Sequence, residues 1–241
     1  MGNSNHWLVR KVLPAALLGT PALLLALGAP ACVDNNVSMF IQQVQVPDSS
    51  NGCVVTADPS AAYYGAGVMD TQLASGYVAT LLVANQLKAR GNSDTLRPES
   101  NRVQLYQADV ELFDATGGSL TSFSMPISGF IDVSSGTTPA YGLATVTLID
   151  AATAASLAGQ QTTITARVKV YGTTLGGIDV ETGYWDYTIT VCDGCLGCTC
   201  PATPSTSDYA KACNLGDNET QDCRLMACWT ATATCDCKYS G

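Results

Sequence analysis

Cysteine placement constrains this chain more than any other feature of its sequence. Nine of the eleven cysteines lie between Cys192 and Cys237, and the other two are Cys32 and Cys53. Segments dense in cysteine and poor in large apolar residues are typical of exported proteins, in which disulfides substitute for a hydrophobic core. Without Cys32 the remaining ten form an even set that can pair completely: Cys53, Cys192, Cys195, Cys198, Cys200, Cys213, Cys223, Cys228, Cys235 and Cys237.

The first 31 residues have the organisation of an export signal. The only charges are Arg10 and Lys11, and the apolar run Val12–Ala31 that follows ends in small residues. A transmembrane helix is the alternative, because about 20 apolar residues span a bilayer. Prolines at positions 14, 21 and 30 divide the run, and each removes a helix hydrogen bond. We therefore expect residues 1–31 to be a cleaved signal peptide.

The end of this segment resembles the lipobox of bacterial lipoproteins. Residues Leu27–Cys32 read Leu-Gly-Ala-Pro-Ala-Cys, with a small residue directly before the cysteine. The resemblance implies that Cys32 is lipidated and that residues 32–36 are its tether. Val33, where some Gram-negative lipoproteins have Asp, implies the outer membrane or cell surface. Because residues 29–31 also fit an ordinary signal-peptidase site, a secreted protein is the alternative.

The mature chain is acidic. It contains nine basic and twenty acidic residues, which gives a net charge of −11. This charge disfavours nucleic acid and anionic headgroups as partners. The expected partners are the membrane, through the lipid anchor, and a protein or glycan ligand at the cell surface; no cofactor is expected.

Alternating apolar residues predict strands through most of the mature chain. Thr163–Val170 and Trp185–Val191 alternate with period two, whereas Tyr77–Leu87 is apolar on both faces. The apolar sets on either side of Gln107 have opposite parity, which predicts a bulge there. Four further strands are predicted: Val37–Val46, Cys53–Thr56, Leu120–Val133 and Ala144–Ile149.

These strands and their turns predict an all-β domain over residues 37–191. An antiparallel immunoglobulin-like sandwich fits their number and spacing, with a jelly roll or an open barrel as alternatives. One short helix is expected at Ala151–Leu157, capped by Asp150. Residues 192–241 are expected to form a self-contained, disulfide-stapled module.

Three interpretations of this cysteine-rich tail remain open. Disulfide staples are the first, with Cys53 bonded to Cys192 or Cys195, where the last strand ends. A soft-metal site at the Cys-x-Cys pairs is the second. Thiol–disulfide exchange at the Cys-x-x-Cys motifs of residues 192–198 is the third.

No catalytic or metal-ligating residue stands out. The only histidine, His6, lies in the predicted signal peptide, so the mature chain lacks imidazole chemistry. A Ca²⁺ site and an exposed acidic hairpin are the two readings of residues 179–186, in which Asp179, Glu181 and Asp186 occur. Lys88–Arg102 is the one charge-dense loop. We expect a non-enzymatic binding or structural lipoprotein; a metal-binding or thiol-redox protein and a carboxylate- or metal-dependent exported enzyme are the alternatives.

Overall fold

The computed structural model describes residues 37–91, 94, 97–196, 213–214 and 216–219. The predicted signal peptide, Cys32 and its tether, and residues 197–212, 215 and 220–241 of the predicted module lie outside the described residues. Within the described residues no helix is long and apolar enough to cross a bilayer.

The described chain is predominantly β. It contains ten strands and one short α-helix: β1 Val37–Gln45, β2 Tyr63–Tyr64, β3 Gly67–Asp70, β4 Tyr77–Asn85, β5 Val103–Phe113, β6 Ser119–Ile131, β7 Ala140–Ile149, α1 Ala151–Ser156, β8 Thr162–Thr174, β9 Asp179–Thr182 and β10 Trp185–Cys192.

All ten strands belong to one hydrogen-bonded sheet. β8 pairs with β5 along one edge and with both β9 and β10 along the other; β5 continues to β6, β10 to β3, and β9 to β1, β4 and β7. The β1–β9 and β3–β10 pairs are parallel and the other pairs are antiparallel. The sheet is therefore mixed, and the prediction of purely antiparallel pairing was wrong. Alternation reports which face of a strand is buried, and it carries no information on strand direction.

The two ends of this sheet meet. β6 bonds only to β5, and β7 bonds only to β4, yet the two strands touch at a pair of glycines. A Cβ at Gly129 would lie 2.6 Å from the Leu143 carbonyl oxygen, and one at Gly142 would lie 2.6 Å from the Phe130 carbonyl oxygen. Only glycine permits such a close approach of two backbones. The sheet consequently folds over and encloses one apolar core to which both ends contribute.

Strand patterns read from the sequence account for this core. On β8 the residues Ile164, Ala166, Val168 and Val170 are buried, as their alternation predicts. The bulge expected near Gln107 is confirmed, because β5 shifts register between Leu105 and Gln107 against both of its neighbours.

The predicted helix is also confirmed. It spans Ala151–Ser156, and the Asp150 carboxylate accepts a bond of 2.8 Å from the Thr153 N–H. Hydrogen bonds from the Thr153 side chain and backbone N–H lower the pKa of Asp150. The helix connects β7 to β8, which do not pair with each other.

One predicted strand does not form, and three short ones were missed, the two-residue β2 among them. The region Cys53–Thr56 has only an isolated bridge from Val54 to Asp48, and Cys53 has a left-handed φ of 64°. That conformation, which follows a tight 3-10 turn at Ser49–Asn51, is incompatible with a strand. β3 and β9 have four residues each, too few for alternation to identify them.

Candidate functional site

The described cysteines form two disulfides. Cys53 bonds to Cys213 with a Cα–Cα distance of 5.5 Å, and Cys192 bonds to Cys195 with a Cα–Cα distance of 5.9 Å. The expectation that Cys53 reaches into the tail is confirmed, but its predicted partners were wrong, because Cys192 and Cys195 bond to each other. Cys32 and six further cysteines lie outside the described residues: Cys198, Cys200, Cys223, Cys228, Cys235 and Cys237.

Residues 216–218 extend the sheet at its β3 end. Gly216 accepts from the Asp70 N–H at 2.8 Å, and Asn218 exchanges two bonds of 2.8 Å with the backbone of Val68. Asp217 lies opposite Met69 in an antiparallel bridge. The predicted independence of residues 192–241 therefore fails for this segment, which completes the edge of the sheet.

A buried polar cluster joins this segment to the core. The Asn218 side chain donates to the Tyr77 hydroxyl at 2.6 Å, and that hydroxyl lies 3.2 Å from the hydroxyl of Tyr187. Burial raises the pKa of Tyr77 and of Tyr187, so both remain neutral hydroxyls that bond to each other. The segment is thus anchored by side chains as well as by backbone bonds.

Asp217 is the poorly satisfied member of this region. It is 6% exposed; one carboxylate oxygen accepts from the Val78 N–H at 3.3 Å, and the other has no hydrogen-bond partner among the described residues. Burial raises the pKa of Asp217 to about 7. It lines an open groove of about 530 Å³ together with Leu73, Ile149 and Cys213.

Asp70, the last residue of β3, has a carboxylate that is fully hydrogen-bonded. Its buried carboxylate accepts three backbone N–H bonds, from Gln72 at 3.0 Å and from Gly194 and Leu196 at 2.8 Å. Asp70, Cys192 and Cys195 place one oxygen and two sulfur atoms within 4.8 Å of one another. The disulfide uses both thiols, so the metal interpretation of this group requires prior reduction.

The acidic residues considered for Ca²⁺ do not converge on one point. Asp186 makes a two-bond ion pair with Arg167 at 2.8 and 2.9 Å, and Glu181 contacts Lys169 at 2.7 Å. Asp179 accepts from the Thr173 hydroxyl at 2.7 Å. Each carboxylate is neutralised or bonded separately, which agrees with the reading as an exposed hairpin.

The loop Lys88–Arg102 is organised by Glu99. Its carboxylate accepts backbone N–H bonds from Gly91 at 2.8 Å, from Asn101 at 2.7 Å and from Arg90 at 2.9 Å. These bonds lower the pKa of Glu99. Glu99 therefore has a structural role in closing the described parts of this loop.

Sequence reasoning missed a cluster of rings and cations on the outer side of β5 and β8. We call it the aromatic face: Tyr106, Phe113, Arg167, Lys169, Tyr171 and Tyr184. Tyr184 lies between β9 and β10 and is 65% exposed, and Tyr106 is 42% exposed. The alternation of β8 did place Arg167 and Lys169 outward, but nothing in the sequence brings Tyr106 and Tyr184 beside them.

Two cations hold the rings of the aromatic face together. The Arg167 guanidinium lies 5.1 Å from the Phe113 ring centre and 5.9 Å from that of Tyr184. The Lys169 ammonium lies 5.4 Å from the Tyr171 ring and 5.3 Å from the Tyr184 ring. Contacts of this length are favourable cation–π interactions. Tyr184 therefore has a defined position although it is exposed.

Carboxylates surround the two cations of the aromatic face and compensate their charge. Each cation already has a carboxylate partner, and the hydrogen bond to Asp186 both lowers the pKa of Asp186 and raises that of Arg167. Burial and the neighbouring Asp109 raise the pKa of Tyr171. The face is consequently uncharged at its rings and offers carboxylate acceptors around them.

A hollow lies at one end of this face. It has a volume of about 700 Å³ and is lined by Phe113, Arg167 and Thr188 together with the β5–β6 turn at 114–117. The Asp114 carboxylate fixes that turn by accepting the N–H groups of Thr116 and Gly118 at 2.8 Å. A ligand lying along the aromatic face would reach this hollow.

No protein-family model matches the chain, and no curated protein matches it.

Proposed function

We propose that the protein is an exported, lipid-anchored and non-enzymatic binding module of the cell surface, and that it binds its ligand on the aromatic face. The observation that carries this proposal is the exposure of Tyr184 beside two cations whose charges are already compensated, together with the exposure of Tyr106 beside Tyr171. Exposed aromatic rings held by a rigid sheet provide contact area at little entropic cost, since few side-chain torsions must be ordered on binding.

The fold suits a display role. The pairing orders β7–β4–β1 and β6–β5–β8–β10, with the core between them, support an immunoglobulin-like sandwich. In such an arrangement the outer face of β8 and β5 is solvent-facing and rigid. The export and anchoring parts of the proposal rest on residues 1–36 of the sequence, and the non-enzymatic part rests on the lack of histidine after His6.

A neutral polysaccharide is the ligand class that the aromatic face favours. Sugar rings present apolar C–H faces that pack on tyrosine rings, and their hydroxyls donate to carboxylates. Here Glu181 and Asp186 lie beside Tyr184 through their cation partners. An anionic ligand would meet carboxylates without a free cation on this face, so its binding is disfavoured.

The test is retardation of the soluble mature protein in native gels that contain neutral polysaccharides of different linkage. The double variant Tyr106→Ala/Tyr184→Ala should lose at least about tenfold in affinity, because both exposed rings are removed. Its stability should change little, since both side chains are exposed.

Tyr63 provides a matched control. It is 60% exposed on β2 and belongs to a different part of the sheet. Tyr63→Ala should bind as the wild type does. Equal weakening by both changes, or no retardation of the wild type by any polysaccharide, would contradict the assignment of the aromatic face.

Anchoring has its own test. Cys32→Ser should release the protein from the membrane fraction, because the acylated sulfur is absent, and intact mass should show acyl chains on the wild type alone. A variant that stays in the membrane fraction, with no lipid mass on the wild type, would show that the resemblance to a lipobox is misleading.

A further inference from the structure

The disulfide Cys192–Cys195 closes a short loop at the end of β10. The two cysteines are separated by three positions, and Cys192 pairs with Asp70 in the register of β10 against β3. Cys192 is 5% exposed, whereas Cys195 is exposed. A reagent in solution can therefore approach the Cys195 residue, whereas the Cys192 residue is covered by protein.

Hydrogen bonds as well as the sulfur–sulfur bond hold the shape of this loop. The Asp70 carboxylate accepts from Gly194 and Leu196 at 2.8 Å, and the Thr71 N–H donates to the Cys192 carbonyl at 2.9 Å. Gly194 has a φ of +78°, which glycine adopts without strain. None of these contacts involves a sulfur atom, so we expect them to persist when the bond opens and to keep both sulfurs close enough to re-form it.

We propose that Cys192 and Cys195 form a thiol–disulfide exchange site for external thiols. A thiolate RS⁻ attacks the Cys195 sulfur, the R–S–S–Cys195 bond forms, and the bond to Cys192 breaks with its electron pair on the Cys192 sulfur, which is then protonated. A second RS⁻ attacks the R sulfur of the mixed disulfide, so that RSSR leaves and Cys195 becomes a thiol. Two external thiols are oxidised, and the protein gains two electrons and two protons.

Burial determines which of the two sulfurs an external thiolate attacks. The Cys192 sulfur lies 3.5 Å from the Met69 carbonyl oxygen, in a residue that is only 5% exposed, so an external thiol has little access to it. Attack at Cys195 requires no such access. The site is independent of the aromatic face, which lies on other residues, and its test is independent of polysaccharide binding.

The first experiment follows reduction of the full mature protein by glutathione. Samples are quenched with an alkylating reagent at intervals, and peptide mapping reports each cysteine. Cys192–Cys195 should open at least about tenfold faster than Cys53–Cys213, because an exposed sulfur is attacked directly. Opening of Cys53–Cys213 first, or at the same rate, would overturn the proposal.

The second experiment uses a matched pair of variants with glutathione disulfide as the probe. Cys192→Ser leaves the exposed thiol, and it should accumulate a glutathione adduct on Cys195. Cys195→Ser leaves the covered thiol, and its adduct on Cys192 should be at least about tenfold slower to form. Equal rates in both variants, or no adduct in either, would overturn the proposal; the reduction experiment on the wild type applies even if a variant fails to fold.

Discussion

Two buried carboxylates lie at β3, and they have opposite surroundings: Asp70 is the last residue of the strand, and Asp217 lies opposite Met69 in the segment that pairs with it. Asp70 is completely covered and accepts three backbone N–H bonds, two of them from the loop closed by Cys192–Cys195. Asp217, in the segment fixed by Cys53–Cys213, accepts one long bond, and its other oxygen has no partner in the part of the chain that the structure describes. The Asp70 carboxylate holds residues 194–196 in place. The Asp217 carboxylate does not hold its own segment, which is fixed by the Cys53–Cys213 disulfide and by backbone bonds.

The two disulfides also differ in how much they stabilise the fold. Cys53–Cys213 joins residues 160 positions apart, whereas Cys192–Cys195 spans three. In the chain-entropy account the long loop stabilises the fold by about 5 kcal/mol and the short one by about 2 kcal/mol. The long-range bond therefore has a structural role, and the short one can open at modest cost.

The largest effect is expected for Cys53→Ser/Cys213→Ser. Without this bond the denatured chain regains the entropy of a very long loop, so the free energy of unfolding should fall by up to about 5 kcal/mol. Urea unfolding followed by far-ultraviolet circular dichroism measures it. A loss below about 2 kcal/mol would mean that the backbone bonds of residues 216–218 to β3 are enough to hold the segment.

The Asp217 carboxylate should make the free energy of unfolding depend on pH, with an effect of intermediate size. Its folded pKa of about 7 lies above the ordinary value of 3.8, so the unfolded state loses this proton first. The contribution to stability is complete below about pH 4 and is lost as the pH rises towards 7. Asp217→Asn cannot ionise, and its stability relative to wild type should increase by on the order of 2–4 kcal/mol between pH 4 and pH 8.

Parallel urea unfolding of wild type and Asp217→Asn at several pH values tests this. Other carboxylates titrate alike in both proteins and cancel from the difference. Asp114→Asn is a suitable control, because its exposed carboxylate bonds to its own turn and has a lowered pKa, which gives the opposite sign. A difference between wild type and Asp217→Asn that does not change with pH would show that Asp217 is hydrated in solution.

Local features of the fold were predictable, whereas its long-range pairing was not. The alternation of β8, the bulge beside Gln107 and the Asp150 cap depend on neighbouring residues, and each is confirmed. The partner of Cys53 depends on where residues 216–218 bond to β3, and no periodicity in the sequence marks that contact. The parallel pairs of β1 and β3 were missed for the same reason.

In the candidate sites, too, the local features were predictable and the long-range contacts were not. The Cys-x-x-Cys motif at residues 192–195 was visible in the sequence, and so were the outward positions of Arg167 and Lys169. The carboxylate beneath that motif comes from Asp70, more than a hundred positions earlier, in a strand too short to be recognised. Tyr184 joins the aromatic face only because β9 and β10 lie along one edge of β8.

The smallest effect on stability is expected when the Cys192–Cys195 disulfide is removed. Cys192→Ser/Cys195→Ser removes a disulfide but keeps the three bonds to Asp70, so the loss of stability should not exceed about 2 kcal/mol. Because those bonds hold the loop, the amide protons of Gly194 and Leu196 should remain protected from hydrogen exchange in the variant, as in the wild type. Asp70→Ala, with the disulfide intact, should instead expose both amides to exchange, since their acceptor is absent. If the disulfide variant lost this protection and Asp70→Ala kept it, the disulfide and not Asp70 would determine the shape of the loop. Reduction would then unfold the loop, which would contradict our inference that this disulfide opens and re-forms reversibly.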